Sequence, residues 1–344
     1  MQIQQNISLR QYNTVGIEAL SKYFAAFTTV EELTELLAFA HTQNVNRLIL
    51  GGGSNILFTG NFNGIVLKNA IPGIELIKED TNHIYVKAGA GENWHRFVEY
   101  CIGRNWAGLE NLSLIPGSVG ASPMQNIGAY GVELKSVFEE LDAYDTTEKK
   151  VYTFSVNDCE FGYRDSIFKK RYRNRFVILD VTFRLNKKPV FNTSYGAIGQ
   201  ELERMGIHEL SIRAISQAVI NIRNSKLPDP AKTGNAGSFF KNPSVPRQKF
   251  DELKTNYPGL PGYDNPDGTV KLSAGWLIEH TGPTENRSWK GFRRGDAGCY
   301  DKQALVLVNF GHAGGQDIFR LSEEILQSVK SAFDVELERE VNII

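Results

Sequence analysis

Glycine is concentrated in one stretch of this chain. Fourteen of its 32 glycines fall within the 81 residues from Gly51 to Gly131. Because glycine has no Cβ, such a stretch either serves many tight turns or lets the backbone approach another group closely. Whatever fold the chain adopts must therefore contain tightly turned or closely packed loops in this region.

The first glycine-rich loop follows a strand predicted at 47–50 and reads Gly51-Gly52-Gly53-Ser54-Asn55. It lacks the Lys-Ser/Thr of a P-loop, and Ile56 stands where a dinucleotide fingerprint needs its third glycine. Consecutive glycines can turn several backbone N–H groups toward an anion, and the serine and asparagine add side-chain donors. Two interpretations stay open, an anion-binding nest and a plain turn between two strands.

The second glycine-rich loop runs from Leu114 to Gly131 and carries no charged side chain. Small uncharged residues suit a flat, neutral, extended ligand whose phosphates lie elsewhere. The alternative is a buried loop that crosses beneath a sheet. Two such loops in one chain favour a dinucleotide cofactor.

Hydrophobic periodicity predicts an α+β fold in which strands and helices do not alternate strictly. A capping-box pattern at 28–31 precedes a helix, and helical spacing from Trp94 to Ile102 predicts another. The remaining predicted elements are strands at 83–88, 138–145, 149–154, 175–185, 304–310 and 335–344 and helices at 211–224, near 271–280 and over 318–333.

Composition excludes several classes of protein. The net charge is −1, which argues against a nucleic-acid-binding protein, and no apolar run approaches the length of a membrane helix. The chain starts on a polar segment without the apolar core of a signal peptide. Neither the three cysteines nor the six histidines show metal-ligand spacing. We therefore expect a cytoplasmic protein with no metal and no membrane partner.

Five motifs occur in a fixed order along the chain: GGGSNIL at 51–57, IPGSVGASPMQNIGAYG at 115–131, FGYRDSIFK at 161–169, GNAGSFFKNP at 234–243 and LEREV at 337–341. Together they resemble the UDP-N-acetylenolpyruvoylglucosamine reductases (UDP-N-acetylmuramate dehydrogenases), type I, from about residue 12 to the end. The first two motifs are shared with a wider flavoprotein superfamily, so they support FAD but not the reaction.

The resemblance implies a domain organisation. It implies a two-subdomain FAD-binding fold of the PCMH/vanillyl-alcohol-oxidase type and a smaller α+β substrate domain. The implied boundaries are residues 1–69 with 334–344 for the first FAD-binding subdomain, 70–217 for the second and 218–333 for the substrate domain.

The resemblance also implies a reaction of peptidoglycan precursor synthesis. In it, NADPH reduces FAD, and UDP-N-acetylglucosamine-enolpyruvate is reduced to UDP-N-acetylmuramate. A hydride passes from reduced FAD to C3 of the enolpyruvyl group, which leaves an enolate, and a proton then reaches C2. The implied partners are this nucleotide sugar and NADPH.

Three residues match the family's catalytic residues. Ser238 matches the proton donor, and an enolate carbon is basic enough to take a proton from a hydroxyl. Arg164 matches the residue that stabilises the enolate, since a guanidinium stays protonated and binds a carboxylate through two hydrogen bonds. Glu340 would act protonated or through a water, because a carboxylate repels an enolate. The residues alone also allow a turn serine, a surface arginine and an exposed glutamate on an edge strand that shares its face with Glu338.

Two further sets of residues match the family's binding sites. The resemblance implies cofactor contacts for Gly51, Gly52, Gly53, Ser54, Asn55, Ile115, Pro116, Gly117, Gly120, Ala121, Gly128 and Ile178. It implies substrate contacts for Tyr163, Tyr195, Lys226, Asn242 and Gln303. The chain departs from the family at Asn342, where many members carry a basic residue.

Other expectations concern cofactor attachment, assembly and rival functions. No histidine lies within residues 51–58 or 113–131, which predicts non-covalent FAD, and we expect a monomer. The basic run at 169–175 is typical of a solvated face, although contact with RNA or with the 2′-phosphate of NADPH is an alternative. The rival functions are another FAD oxidoreductase, such as a hydroxy-acid or lactone oxidase, and a nucleotide- or nucleic-acid-binding protein without catalysis.

Overall fold

The computed structural model describes residues 2–284 and 287–344. The α-helices in these ranges are α1 (Val30–Thr42), α2 (Trp94–Gly103), α3 (Gly196–Arg204), α4 (Ile212–Lys226), α5 (Arg247–Asn256), α6 (Ala274–Glu279) and α7 (Gly315–Phe333). The strands are β1 (Gln4–Ser8), β2 (Leu20–Phe27), β3 (Asn46–Leu50), β4 (Ile56–Leu57), β5 (Phe62–Asn69), β6 (Ile74–Glu79), β7 (His83–Gly89), β8 (Gly128–Ala129), β9 (Val132–Glu133), β10 (Phe138–Asp145), β11 (Lys150–Ser155), β12 (Phe176–Asn186), β13 (Gly234–Ser238), β14 (Ser244–Pro246), β15 (Gly262–Asp264), β16 (Thr269–Leu272), β17 (Arg293–Arg294), β18 (Ala297–Cys299), β19 (Val306–Asn309) and β20 (Asn342–Ile343).

The chain divides into two compact units. The first comprises the residues up to Ile7 together with Ser21–Gly53 and Asn63–Ser225. The second comprises Ser8–Leu20, Ser54–Phe62 and Lys226–Ile344. The expected three-part division at 69, 217 and 333 stays a prediction.

The first unit is built around two sheets. Four strands lie in the order β1-β2-β5-β3, and five antiparallel strands lie in the order β11-β10-β12-β7-β6. Leu33 and Leu36 of α1 are buried with Phe27 in one core. Trp94 and Phe97 of α2 pack on Phe183 of the five-stranded sheet, with ring centroids 5.9 and 4.7 Å from it. Full burial of each such side chain contributes about 1.5–3 kcal/mol, so both helices are held mainly by their apolar faces.

The second unit contains a four-stranded sheet in the order β13-β19-β18-β17 and a three-stranded sheet in the order β14-β16-β15. One face of α7 is buried at helical spacing, through Ile318, Leu321, Ile325, Val329 and Phe333. That spacing is the period of an amphipathic helix, and it places the long C-terminal helix against the unit's core.

The mixed α+β fold predicted from the sequence is confirmed. The strands predicted at 138–145, 149–154 and 175–185 are β10, β11 and β12, each within one residue. The helix predicted at 211–224 is α4, which continues to Lys226. The strand predicted at 304–310 is shorter, because β19 pairs only from Val306 to Asn309.

The start of α1 differs from the predicted capping box by one residue. Thr29, not Thr28, is the extended residue before the helix, and its hydroxyl accepts a 3.2 Å hydrogen bond from the N–H of Glu32. The Glu32 carboxylate in turn accepts a 2.6 Å hydrogen bond from the N–H of Thr28. The N-cap is therefore Thr29, and the glutamate that bonds back to the residues before the helix is Glu32, three positions after that cap, instead of Glu31.

The predicted terminal strand over 335–344 is regular only at its end. There β20 pairs in parallel with β4, Asn342 lying opposite Ile56. The last residue, Ile344, donates to Leu57 at 2.9 Å and accepts from Thr59 at 2.7 Å. The C-terminal segment thus returns to the residues that follow the first glycine-rich loop.

Neither a membrane-crossing helix nor a metal cluster is found in the described ranges. None of the helices there is both long enough and apolar enough to cross a bilayer. Across the same residues, no group of three or more His, Cys, Asp or Glu side chains is placed to hold a metal ion.

Candidate active site

The two glycine-rich loops lie against each other in the first unit. A Cβ on Gly52 would stand 2.5 Å from the Cα of Gly117, and one on Gly51 would stand 2.6 Å from the Ser118 hydroxyl oxygen. Both distances are far inside van der Waals contact, so neither position takes a side chain without movement. Gly53 has φ +66° and Gly117 has φ +129°, values that favour glycine. The glycines of both loops therefore serve close backbone approach.

The start of α2 holds the second loop in place. The N–H of Trp94 donates to the carbonyl of Gly117 at 3.1 Å, and the N–H of Gly120 donates to Ala90 at 3.0 Å. A Cβ on Gly120 would stand 2.4 Å from the Cβ of Ala90. The loop is thus bonded to a rigid element on one side and packed on the first loop on the other.

Ser118 carries a buried hydroxyl without a hydrogen-bond partner among the described residues. The residue is 5% exposed. Leaving a buried hydroxyl unsatisfied costs about 1–3 kcal/mol, so such a group is expected to meet a ligand or water. A pair of packed glycine loops and an orphaned hydroxyl beside them fits the extended, polar FAD molecule.

The remaining predicted cofactor residues of this unit have different surroundings. The Cβ of Ala121 lies 3.4 Å from where a Cβ on Gly51 would stand. Ile115 is half-buried against the core, and Pro116 is exposed. Ile178 is buried in that core, and its carbonyl accepts a side-chain amide hydrogen bond at 2.8 Å.

Arg164 has a left-handed backbone, with φ +53°. This conformation costs a non-glycine residue roughly 1–3 kcal/mol and is retained where the surroundings impose it. Its Nη2 donates to the carbonyl of Gly128 at 2.8 Å, and its guanidinium carbon lies 5.4 Å from the ring centroid of Tyr163. The structure therefore brings together these three predicted site residues.

A second arginine near Arg164 is absent from the sequence-based site. Arg223 of α4 donates through Nε to the carbonyl of Leu114 at 3.2 Å and hydrogen-bonds to the Tyr130 hydroxyl. Burial lowers the pKa of Arg223, and the charge of Arg164 lowers it further. A guanidinium nevertheless stays protonated at neutral pH. Within the described residues no carboxylate pairs with Arg223.

The position of Arg223 in the sequence could have indicated that it belongs to the site. It stands three residues before the predicted substrate residue Lys226, which places both on one face of α4. Tyr130, the hydrogen-bond partner of Arg223, also contacts a predicted substrate residue. Its ring meets that of Tyr195 edge to face, with ring centroids 5.3 Å apart. Tyr195 itself is 48% exposed and immediately precedes α3.

One histidine contacts the second loop, although none lies within it. The Nδ1 of His95 accepts a 3.0 Å hydrogen bond from the N–H of Leu114, and burial lowers the pKa of His95. Leu114 has φ +58° and also receives the Arg223 hydrogen bond. His95 therefore binds the N–H of Leu114 and Arg223 binds its carbonyl, so both side chains hold this left-handed loop residue in place.

In the second unit, Ser238 and Glu340 lie on neighbouring segments. The N–H of Glu340 donates to the carbonyl of Phe239 at 2.9 Å, and Phe240 pairs with Arg339. Phe239 and Phe240 are buried, which anchors the segment after Ser238. The Ser238 hydroxyl forms no hydrogen bond within the part of the chain that the structure describes.

The two C-terminal glutamates differ, although strand alternation predicts the same face for both. The Glu338 side chain is 71% exposed and pairs with Lys241 at 2.6 Å. Glu340 is half-buried, and its carbonyl accepts a 3.2 Å hydrogen bond from the side-chain amide of Asn55. Glu340 is therefore the glutamate held next to the chain of Ser238.

Ser54 and Asn55, the last two residues of the first glycine-rich loop, belong to the second unit. The carbonyl of Asn55 accepts from both the backbone and the side chain of Asn342, at 3.1 and 2.9 Å. Asn342 thus fastens the C-terminal segment to this loop, a contact that needs no positive charge.

Two predicted substrate residues meet at the start of α6, and a third does not join them. The Oδ1 of Asn242 accepts a 2.9 Å hydrogen bond from the N–H of Ala274. The Oε1 of Gln303 lies 2.8 Å from where a Cβ on Gly275 would stand. Lys226 is exposed at the end of α4, and its side chain forms no hydrogen bond or ion pair with another described residue.

The basic run at 169–175 is largely neutralised by carboxylates of its own unit. Lys170 pairs with Asp165 at 2.6 Å, and Arg171 pairs with Glu160 at 3.4 Å. Arg175 pairs with two carboxylates, at 2.6 and 2.7 Å. This arrangement is that of a solvated face with local ion pairs.

Comparison with known proteins agrees with this geometry. The family model of an FAD-binding domain matches residues 21–151. With the mixed α+β fold and the packed glycine loops, this match defines an FAD-dependent oxidoreductase.

The second half of the chain specifies the family. Residues 229–344 match the C-terminal domain of UDP-N-acetylenolpyruvoylglucosamine reductase. The enzymes of that name from Amoebophilus asiaticus and Pseudomonas savastanoi pv. phaseolicola are 48% and 46% identical, covering 100% of this chain and 100% and 99% of theirs. The chain belongs to the UDP-N-acetylenolpyruvoylglucosamine reductase family. The crystal structure of the enzyme from Thermus caldophilus has the same fold, with TM-score 0.66 at 22% identity over 100% of this chain and 99% of that one.

Proposed function

We propose that the chain is an NADPH-dependent reductase that converts UDP-N-acetylglucosamine-enolpyruvate into UDP-N-acetylmuramate for peptidoglycan synthesis. Family membership supports the reaction, and the FAD-binding domain supports the cofactor. The observation that carries the proposal is the 2.9 Å hydrogen bond from the backbone N–H of Glu340 to the carbonyl of Phe239, because it joins the segment of Glu340 to the segment of Ser238.

FAD, when bound, supplies a carrier that accepts a hydride from NADPH and delivers it to the substrate. The backbone of Gly51–Gly53 and of Gly117–Gly120, with the Ser118 hydroxyl, would hold it, because the glycines allow close approach and the hydroxyl has no hydrogen-bond partner among the described residues. No covalent link is needed for this, and we propose that FAD is bound non-covalently.

Ser238 is the proposed acid. Once C3 of the enolpyruvyl group has gained a hydride, C2 belongs to an enolate conjugated with the carboxylate. The O–H bond of Ser238 breaks and a C–H bond forms at C2, which leaves an alkoxide. A hydroxyl without an internal hydrogen-bond partner is suited to this transfer. Glu340, protonated or through a water, would return the proton to Ser238.

Positive charge is needed to balance the enolate and its carboxylate. Arg164 supplies it in the proposal, because a guanidinium can bind a carboxylate through two parallel hydrogen bonds. Arg223 adds a second positive charge to the same region of the first unit, where no carboxylate neutralises it among the described residues. The charge of Arg223, which has no carboxylate partner in the described part of the chain, supports an anionic ligand in this region.

The nucleotide part of the substrate is assigned to five residues. Lys226 provides an exposed point charge for the diphosphate, and Tyr163 and Tyr195 provide exposed rings. Asn242 keeps its Nδ2 available as a donor, because its Oδ1 already accepts from the backbone of α6. Gln303 lies at the start of the same helix. The expectations of three domains, a monomer and a cytoplasmic location form part of this proposal.

The test combines a spectrum with an assay. Purified protein is expected to show flavin absorption bands and to oxidise NADPH only when the enolpyruvyl nucleotide is present. Little oxygen is expected to be consumed. NADPH oxidation at a rate that does not depend on the nucleotide, or oxygen consumption with a hydroxy acid or a sugar lactone, would instead indicate an oxidase of the same superfamily. A colourless protein that gains no colour with FAD would exclude the flavoenzyme altogether.

A further inference from the structure

Lys68 is a half-buried lysine at the first glycine-rich loop. It lies on β5 opposite Leu50, the last residue of β3, and its ammonium group donates to the carbonyl of Gly51. Its neighbours in the strand, Leu67 and Asn69, are buried. The side chain therefore reaches the loop along the surface of the four-stranded sheet.

The charge of Lys68 has no counter-charge within the described residues. Its ammonium group bonds to one backbone carbonyl, and burial lowers its pKa. Lys87 of the same unit is also half-buried, but it lies between Asp142 and Asp180, at 3.0 and 3.2 Å. Partly buried ammonium groups are normally paired with carboxylates, because removal from water is costly. Of these two half-buried lysines, Lys68 is the one without a carboxylate partner among the described residues.

A second, independent group points to the same place. The Ser118 hydroxyl lies 2.6 Å from where a Cβ on Gly51 would stand, and it is 5% exposed without a partner in the described ranges. Ser118 comes from the second glycine-rich loop, whereas Lys68 comes from β5. Two donors with unused hydrogen-bonding capacity therefore converge on Gly51 from different elements.

We propose that Lys68 binds the diphosphate of FAD, an inference that rests on the proposed cofactor. The adenosine, the ribityl chain and the oxidised isoalloxazine of FAD are uncharged at neutral pH, so the diphosphate is the part that attracts an ammonium group. An ammonium carries three donors, and the Gly51 carbonyl takes one. The other two remain to bind phosphate oxygens.

Flavin binding to protein freed of flavin by dialysis against concentrated bromide tests the proposal. Quenching of flavin fluorescence gives the dissociation constants of FAD and of riboflavin, which lacks the diphosphate. In Lys68→Met the dissociation constant of FAD is expected to rise by ~10–100-fold, as for the loss of a charge-assisted hydrogen bond, while that of riboflavin stays unchanged. Lys68→Arg should retain most of the affinity. Lys22→Met, at an exposed lysine on β2, should bind both ligands as the wild type does.

Salt adds a second measurement. Raising ionic strength should weaken FAD binding more in the wild type than in Lys68→Met, because screening acts on the charge that the variant lacks. FAD affinity in Lys68→Met within twofold of the wild type would overturn the proposal. So would an equal loss for FAD and riboflavin, which indicates a packing role. A wild-type protein that binds riboflavin and FAD equally would refute the diphosphate contact, and one that binds neither would refute the proposed cofactor itself.

Discussion

The backbone N–H of Glu340 donates a 2.9 Å hydrogen bond to the carbonyl of Phe239, the residue that follows Ser238. Two further contacts extend this pairing: Phe240 bridges to Arg339, and Lys241 donates to Glu338 at 2.8 Å. The C-terminal segment thus runs antiparallel to the segment that carries Ser238. Any change that loosens this pairing is expected to separate the proposed acid from its carboxyl partner.

Ser238→Ala is expected to slow one of the two half-reactions and to leave the other nearly unchanged. Flavin reduction by NADPH should remain close to the wild-type rate, because the hydroxyl plays no part in it. Reoxidation by the enolpyruvyl nucleotide should slow by at least ~10²–10⁴-fold, the usual contribution of a positioned acid. Stopped-flow absorbance measures both phases. Ser244→Ala, at an exposed serine of the same unit, is the control and should change neither rate. A near-normal second phase in Ser238→Ala would leave the acid unassigned.

Glu340→Gln and Glu338→Gln form a matched pair. Both keep the backbone pairing, but only the first removes the carboxyl of Glu340, the half-buried residue whose N–H bonds to Phe239. Glu340→Gln should slow flavin reoxidation by ~10²-fold or more. Glu338→Gln, at the exposed partner of Lys241, should behave as the wild type. Equal rates of reoxidation in the two variants would refute the role of Glu340.

Lys226→Ala is expected to weaken substrate binding rather than chemistry. Loss of one charge-assisted contact to a diphosphate should raise the dissociation constant of the nucleotide by ~10–100-fold, or about 1.5–3 kcal/mol. Titration followed by flavin absorbance measures this constant. Lys232→Ala removes an exposed lysine of the same unit and serves as control. If both variants bind the nucleotide equally well, Lys226 is a solvated lysine.

Acid precipitation tests the attachment of the flavin. All yellow colour is expected in the supernatant, because non-covalent FAD leaves an unfolded chain. His95 is the candidate for a covalent link if the pellet stays yellow, since its ring contacts Leu114 of the second loop. His95→Asn would then release the colour, which distinguishes this histidine from the others.

The ion pair of Asp145 with Arg175 predicts a specific acid sensitivity. The Asp145 carboxyl is fully buried and accepts hydrogen bonds from Arg175 at 2.6 and 2.8 Å, and these bonds lower its pKa. A depressed pKa stabilises the folded state above the unfolded-state pKa, about 3.9, and this contribution is lost as pH falls through the folded-state value. Asp145→Asn should lower the Tm at pH 7 by about 2–8 °C, with a smaller difference below pH 3.

Thermal melts between pH 2.5 and 7 check this expectation. Asp251→Asn, at an exposed residue of α5, should follow the wild-type curve throughout. A constant difference in Tm between Asp145→Asn and the wild type at every pH would show that the pair contributes through shape and not through charge.

The sequence predicted most of the local structure correctly. The strands at 138–145 and 175–185 and the helix that starts at Trp94 follow from local periodicity, which depends on residues close together in the chain. Errors occur at element ends. The N-cap of α1 lies one residue later than predicted, because the choice between two adjacent threonines depends on backbone geometry rather than on residue type.

Motif order by itself determined the family, the cofactor class and the identity of the proposed catalytic residues. Tertiary structure decided what these residues contact. It placed Arg223 beside Arg164, gave Glu338 and Glu340 different environments, and neutralised most of the basic run at 169–175 with carboxylates. The physical reason is that charge balance and burial arise between residues far apart in the chain, whereas periodicity and motifs record only residues that are close together.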